Sequence, residues 1–165
     1  MQPDIIVLEG LRSKSPTLNK CLGGHQMKLQ DKYPDTETFH FFNMNPKKRI
    51  TGDCVFRAFA LAMQQDYNTT VMEMAELMCK TGYALNDTKG EHKYLEMKGW
   101  VKHKQPRKPD GTKYTGKEFC KLLAKKNVRY VAHIGGHHMV AIVGKKVVDI
   151  WDSTDGCIGN YWTKG

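Results

Sequence analysis

Apolar residues in the first half of this chain recur at helical spacing and in the last third at strand spacing. After Gly52, the residues Val55, Phe56, Phe59, Ala62 and Met63 fall on one side of a 3.6-residue repeat, with Asp53 standing where an N-cap would. Three further helical stretches follow. Thr70 to Lys80 opens with the capping box Thr70-x-x-Glu73, a stretch near Lys89 to Lys98 stops at Gly99, and Thr115 to Lys126 opens with Thr115-x-x-Glu118. Met72, Met74, Leu77 and Met78 repeat at helical spacing and are expected in the core. Later the period shortens to two, predicting strands over Arg129 to Ile134, His138 to Val143, Val147 to Asp152 and Cys157 to Trp162, with Thr38 to Asn43 leading in. Helices first and a strand meander afterwards predict an α+β fold, the helices packed on a C-terminal antiparallel sheet. Residues 1–37 mix Gly, Ser, Pro and Lys without sustained period and read as an arm or irregular subdomain; residues 38–165 read as one domain.

Cys54 falls in the first turn of the first long helix, where unpaired N–H groups and the helix dipole favour thiolate and pull the pKa below the ~8.5 of a free thiol. The same amides can act as oxyanion donors. Far downstream, Gly136-His137-His138 leads a strand. With a three-residue loop, Gly144 to Lys146, Val143 faces Val147 and His138 faces Asp152, about 5 Å apart at Cβ and within hydrogen-bonding reach. A two-residue loop would set Trp151 opposite His138 instead, and a slip by one would exchange His137 and His138. Asp149 stands on the same strand, but by alternation it should project from the other face, so Asp152 ranks above it. Cys54, His138 and Asp152 then supply nucleophile, base and orienter, the parts that nucleophilic catalysis requires. Reading His133, His137 and His138 as metal ligands is weaker, because no Cys-x-x-Cys or His-x-x-x-His spacing occurs. No metal and no cofactor are expected.

Asp53-Cys54-Val55-x-Arg57-Ala58, followed by His138-x-Val140-Ala141-Ile142 and Asp149-x-Trp151-Asp152-Ser153, resembles the papain-like cysteine peptidase superfamily. Within it the chain is most similar to compact peptidase-like proteins of bacteriophages and bacteria, distantly akin to the double-glycine leader peptidases. The resemblance covers roughly residues 40 to 162. It implies a central helix carrying the nucleophile, a sheet carrying histidine and aspartate, and thiol-dependent amide cleavage by a phage-encoded enzyme. The glutamine that such enzymes usually place before the cysteine is absent between Asp31 and Cys54; Asn45, or less favourably Asn43, could supply that amide, and both also fit ordinary turns before Pro46.

Composition sets the outer bounds. The 165 residues are 40% hydrophobic, enough for one core. No run approaches the ~20 apolar residues of a membrane helix, and Met1 to Glu9 lacks a basic n-region, so a soluble cytoplasmic protein is expected, in the host cell or virion if phage-encoded. Five unclustered cysteines argue for free thiols. Cys79 and Cys120, inside helical patterns, are expected to be buried.

The net charge of +9 concentrates in Lys102 to Lys113, a stretch read as a loop with Trp100 and Tyr114 at its edges. Lys102, Lys104, Arg107 and Lys108 form a candidate surface for an anionic partner, an acidic protein or peptide substrate before nucleic acid. Three functions fit these residues. A peptidase or isopeptidase leads; an acyltransferase or transglutaminase-like enzyme would use the same triad, and a binding or inhibitor protein would keep the scaffold without the chemistry.

Overall fold

The computed structural model describes residues 28–84 and 87–165, and residues 1–27, including Cys21 and most of the expected arm, lie outside them. The arm's last residues hold a single helical turn, α1 (Leu29–Lys32), before β1 (Phe39–Phe41) enters the sheet. Helix α2 (Cys54–Met63) buries Val55, Phe59 and Ala62, as its repeat predicts, and ends on Gln64 in the left-handed region. Helix α3 (Tyr67–Thr81) begins three residues before the expected Thr70. Asp66 takes the N-cap by accepting from the Thr69 amide, and the Thr70 hydroxyl donates back to the Asp66 carbonyl. Met74 and Leu77 enter the core and Met72 stays outside. Helix α4 (Thr88–Met97) is capped by Asp87 and is followed by a strand, β2 (Trp100–His103). The capping box at Thr115 and Glu118 forms, but its helix α5 (Gly116–Glu118) passes at once into a π-helical turn, Phe119–Leu123, and the chain is extended by Ala124. That turn buries Phe119 and Cys120 and leaves Leu122 exposed.

Strands β3 (Tyr130–Ile134), β4 (His138–Val143), β5 (Lys146–Asp149) and β6 (Ile158–Lys164) complete a six-stranded sheet in the order β1-β5-β4-β3-β6-β2. The fold is thus mixed α+β. The sheet is mixed rather than antiparallel, because β1 runs parallel to β5, pairing Phe39 with Val147. The helices α2 to α4 and three other strands intervene between β1 and β5, so no short hairpin constrains their direction.

Alternation along the strands divides the core in two. Val131, Met139, Ala141 and Trp162 meet α2, α3 and α4 on one face, where Phe59 stacks on Tyr94 at 5.5 Å. Ala132, Ile134, Val140, Ile142, Val147 and Ile158 meet Phe39, Phe119 and Cys120 on the other. No helix among the described residues is long and apolar enough to cross a membrane.

The β4–β5 hairpin corrects the expected register. Val143 pairs with Lys146, so the loop is Gly144-Lys145 and not the three residues through Lys146. Both loop residues have positive φ, 58° and 69°, the backbone of a two-residue turn whose twist matches the flanking strands. Every residue of β5 is thereby displaced one position against β4, and its side-chain parity inverts.

Candidate active site

The first residue of β4 and the last of β5 meet at one end of the sheet, and the N-terminus of α2 lies against them. His138 Nε2 stands 2.5 Å from Asp149 Oδ2, and the imidazole lies beside the Cys54 thiol, close enough for each to shift the other's pKa. With Nε2 directed to the carboxylate, Nδ1 is the nitrogen left for sulfur. The backbone amide of Met139 also favours the charged form of the Cys54 sulfur. Cys54 is half-buried, His138 is 16% exposed and Asp149 only 3%. His138 and Asp149 share the parity of Val140, Ile142 and Val147, whose side chains pack on the face away from α2. They reach the cysteine because each stands at a strand end.

The electrostatics favour the charged form of both groups. Burial penalises the thiolate and pushes the Cys54 pKa up, but the hydrogen bonds from His138 and Met139 and the imidazolium charge outweigh it, leaving the thiol below its ordinary value. Burial likewise pulls His138 down, yet the hydrogen bonds to Asp149 and Cys54 and their charges push it up to about 9. Each group thus favours the charged form of the other, thiolate beside imidazolium.

Asp53 does not cap α2. Its carboxylate accepts from Asn45 Nδ2 at 2.9 Å and the Tyr67 hydroxyl at 2.8 Å and pairs with Arg57, and makes no hydrogen bond to the first-turn amides of the helix. Asn45, the expected oxyanion residue, is thereby withdrawn: it is 7% exposed and its amide is spent on Asp53. Asn43 is equally committed, donating to the Arg49 carbonyl and accepting from the Asn45 amide.

Asp152, the expected orienter, is turned away from His138. Its carboxylate accepts from the amide and hydroxyl of Thr154 at 2.9 and 2.6 Å, closing the turn after β5. The two-residue loop instead brings Trp151 beside His138, with ring centroids 4.7 Å apart, and turns Asp149 onto its nitrogen. His137 lies exposed in the turn, and His133 sits 3.7 Å from Glu91 against Trp162. No group of three or more His, Cys, Asp or Glu residues able to hold a metal occurs among the described residues.

The other thiols differ from Cys54. Cys120 is buried, its pKa pushed up to about 12 by desolvation. Cys79 and Cys157 are exposed; Cys79 lies on the solvent face of α3, against the burial expected of it. The basic stretch is also rearranged. Trp100 is 7% exposed within the core, and Lys102 and His103 belong to β2, with the Lys102 ammonium over Trp162. Lys108 is neutralised by Glu118 at 2.6 Å, and Arg107 hydrogen-bonds the Gly111 carbonyl within its own loop. Lys102, Lys104 and Arg107 are exposed and Lys108 is half-buried.

Arg57 was part of the recognisable motif but had no role from sequence. Its i,i+4 spacing from Asp53 was the available signal. Comparison of the chain with protein-family models, curated proteins and solved structures returns no match, so the functional reading rests on the residues of this site.

Proposed function

We propose that the protein is a papain-like cysteine hydrolase, a peptidase or isopeptidase, with Cys54 as nucleophile, His138 as proton shuttle and Asp149 in the orienting role. The observation that carries this reading is the continuous contact from Cys54 through His138 to Asp149, with the cysteine at the uncapped start of a helix. A buried structural cysteine needs neither partner; Cys120 has neither a histidine nor a lowered pKa.

In the proposed reaction the thiolate attacks an amide carbonyl carbon, and the charge developing on its oxygen faces the first-turn N–H groups of α2. The imidazolium gives its proton to the departing amine as the C–N bond breaks. His138, now neutral, takes a proton from water as the hydroxide adds to the thioester, and returns it to the sulfur as the carboxylic acid leaves. Asp149 holds the ring throughout and stabilises its charged form.

The experiment is incubation of the full chain with a diverse pool of unstructured peptides and with a peptidyl chloromethyl ketone, read by mass spectrometry. Cleavage, together with a covalent adduct on Cys54, supports the proposal when Cys54→Ala abolishes both. A pool left intact with no adduct on Cys54 contradicts it.

A further inference from the structure

Arg57 is 4% exposed and lies between two carboxylates of similar burial, Asp53 at 5% and Asp149 at 3%. Its Nε and Nη2 donate to Asp149 Oδ1 at 3.3 and 3.1 Å, its Nη1 reaches the Thr51 carbonyl at 3.4 Å, and the guanidinium also pairs with Asp53. Asp149 therefore divides its oxygens, Oδ1 to Arg57 and Oδ2 to His138. Asp53 immediately precedes Cys54 and is held from its other side by Asn45 and Tyr67. The titratable groups around Arg57 and its two partners are Asp53 just before α2, Cys54 of α2, Tyr67 of α3, His138 of β4 and Asp149 of β5.

We propose that Arg57 is a positioning residue of this site: it clamps the first turn of α2, and so the Cys54 sulfur, to the carboxylate that orients His138, and it offsets that carboxylate's charge beside the thiol. The inference rests on the proposed function and adds a residue through which the nucleophile and the histidine are held in register. Three directions of contact from one planar group require the guanidinium fork; a lysine offers one point of charge and cannot reproduce them. The charge balance matters because Asp149 by itself disfavours a negative sulfur nearby. A cation between the two acids counters that effect, whereas a purely structural bridge could be replaced by any well-packed pair.

The test is the pH dependence of iodoacetamide alkylation of Cys54 in the full chain, compared among wild type, Arg57→Lys and Arg57→Gln. Protection of Cys120, which is fully buried, reports an intact fold, and the temperature is set so that it holds in all three. In Arg57→Lys the plateau rate falls severalfold and the acid limb moves up by about half a pH unit; in Arg57→Gln it moves up by about one unit or more. A limb unmoved in both variants overturns the role of Arg57 while leaving the hydrolase reading in place. Absence of selective Cys54 reactivity in the wild type removes the hydrolase reading, and this inference with it.

Discussion

The two ends of α2 carry two polar networks built from similar residue types and suited to different work. At the C-terminal end Glu73 accepts from Lys98 at 2.7 Å, from the Tyr94 hydroxyl at 2.5 Å and from Gln65 at 2.7 Å. At the N-terminal end Asp149 accepts from His138 and Arg57, and His138 passes the interaction on to Cys54. Burial opposes the Glu73 carboxylate, but its three donors hold it down at about 2, and Tyr94 is pushed up out of the titratable range. No proton there moves near neutrality. At the other end a lowered thiol and a histidine raised to about 9 stand side by side, so the proton they share is the titratable one. A cleft of about 540 Å³ opens beside the first network, lined by Met63, Gln65, Lys98, Trp100 and Arg129, yet it contains no nucleophile. The difference is that fixed donors saturate the first network, whereas the second joins two titratable groups whose charged forms favour each other.

The largest expected effect breaks the N-terminal network. Asp149→Asn should lower turnover by on the order of 10⁴-fold, the loss seen when a triad aspartate is amidated. Asp152→Asn, which touches only the Thr154 turn, should cost less than about tenfold. Steady-state rates on any peptide that the enzyme cleaves decide between them, and a larger loss from Asp152→Asn would return the orienting role to it.

The pH dependence of stability sharpens the same contrast. The folded His138 pKa lies above its unfolded value of 6.5, so its contribution is fully present below that value and is lost as pH rises through about 9. The difference in Tm between wild type and His138→Gln should therefore be greatest near pH 6 and shrink above about pH 9. Glu73 has the opposite sign. Its folded pKa is depressed, so its contribution is present above the ordinary glutamate value of 4.5 and fades as pH falls toward about 2. Glu73→Gln should destabilise by about 1 kcal/mol, a figure kept low because the side chain is 36% exposed and screened by solvent. Urea denaturation measures that loss, and Cys54 alkylation should not change.

The smallest effect is expected from the basic stretch. Changing Lys102, Lys104, Arg107 and Lys108 together to alanine should alter kcat/KM by no more than about threefold at low salt, because Lys108 and Arg107 already have partners. A steep, salt-dependent loss would show a substrate-guiding surface after all.

The parts of the site that sequence revealed are those set by local pattern. Cys54 followed from a glycine break and a 3.6-residue repeat, and His138 from a glycine pair opening an apolar strand. The histidine's partner was not legible, since one residue of loop length decides whether Asp149 or Asp152 turns toward it, and Lys145 at positive φ is not a choice that its side chain advertises. Asn45 was misread for a related reason. An amide near a cysteine in sequence fits an oxyanion donor until the buried Asp53 carboxylate, which needs donors of its own, is placed beside it. Strand β2 was hidden because only Trp100 of its four residues is buried, so it carries almost no alternation.

The central claim is that the start of α2 holds a thiolate–imidazolium pair, and competitive alkylation tests it most directly. Cys79 and Cys157 are exposed whereas Cys54 is only partly so, and accessibility alone would make Cys54 the slower thiol. If the account is right, iodoacetamide at about pH 6 labels Cys54 at least tenfold faster than either of them, and His138→Ala removes the preference. Labelling of Cys79 and Cys157 at rates equal to or above that of Cys54 would contradict it.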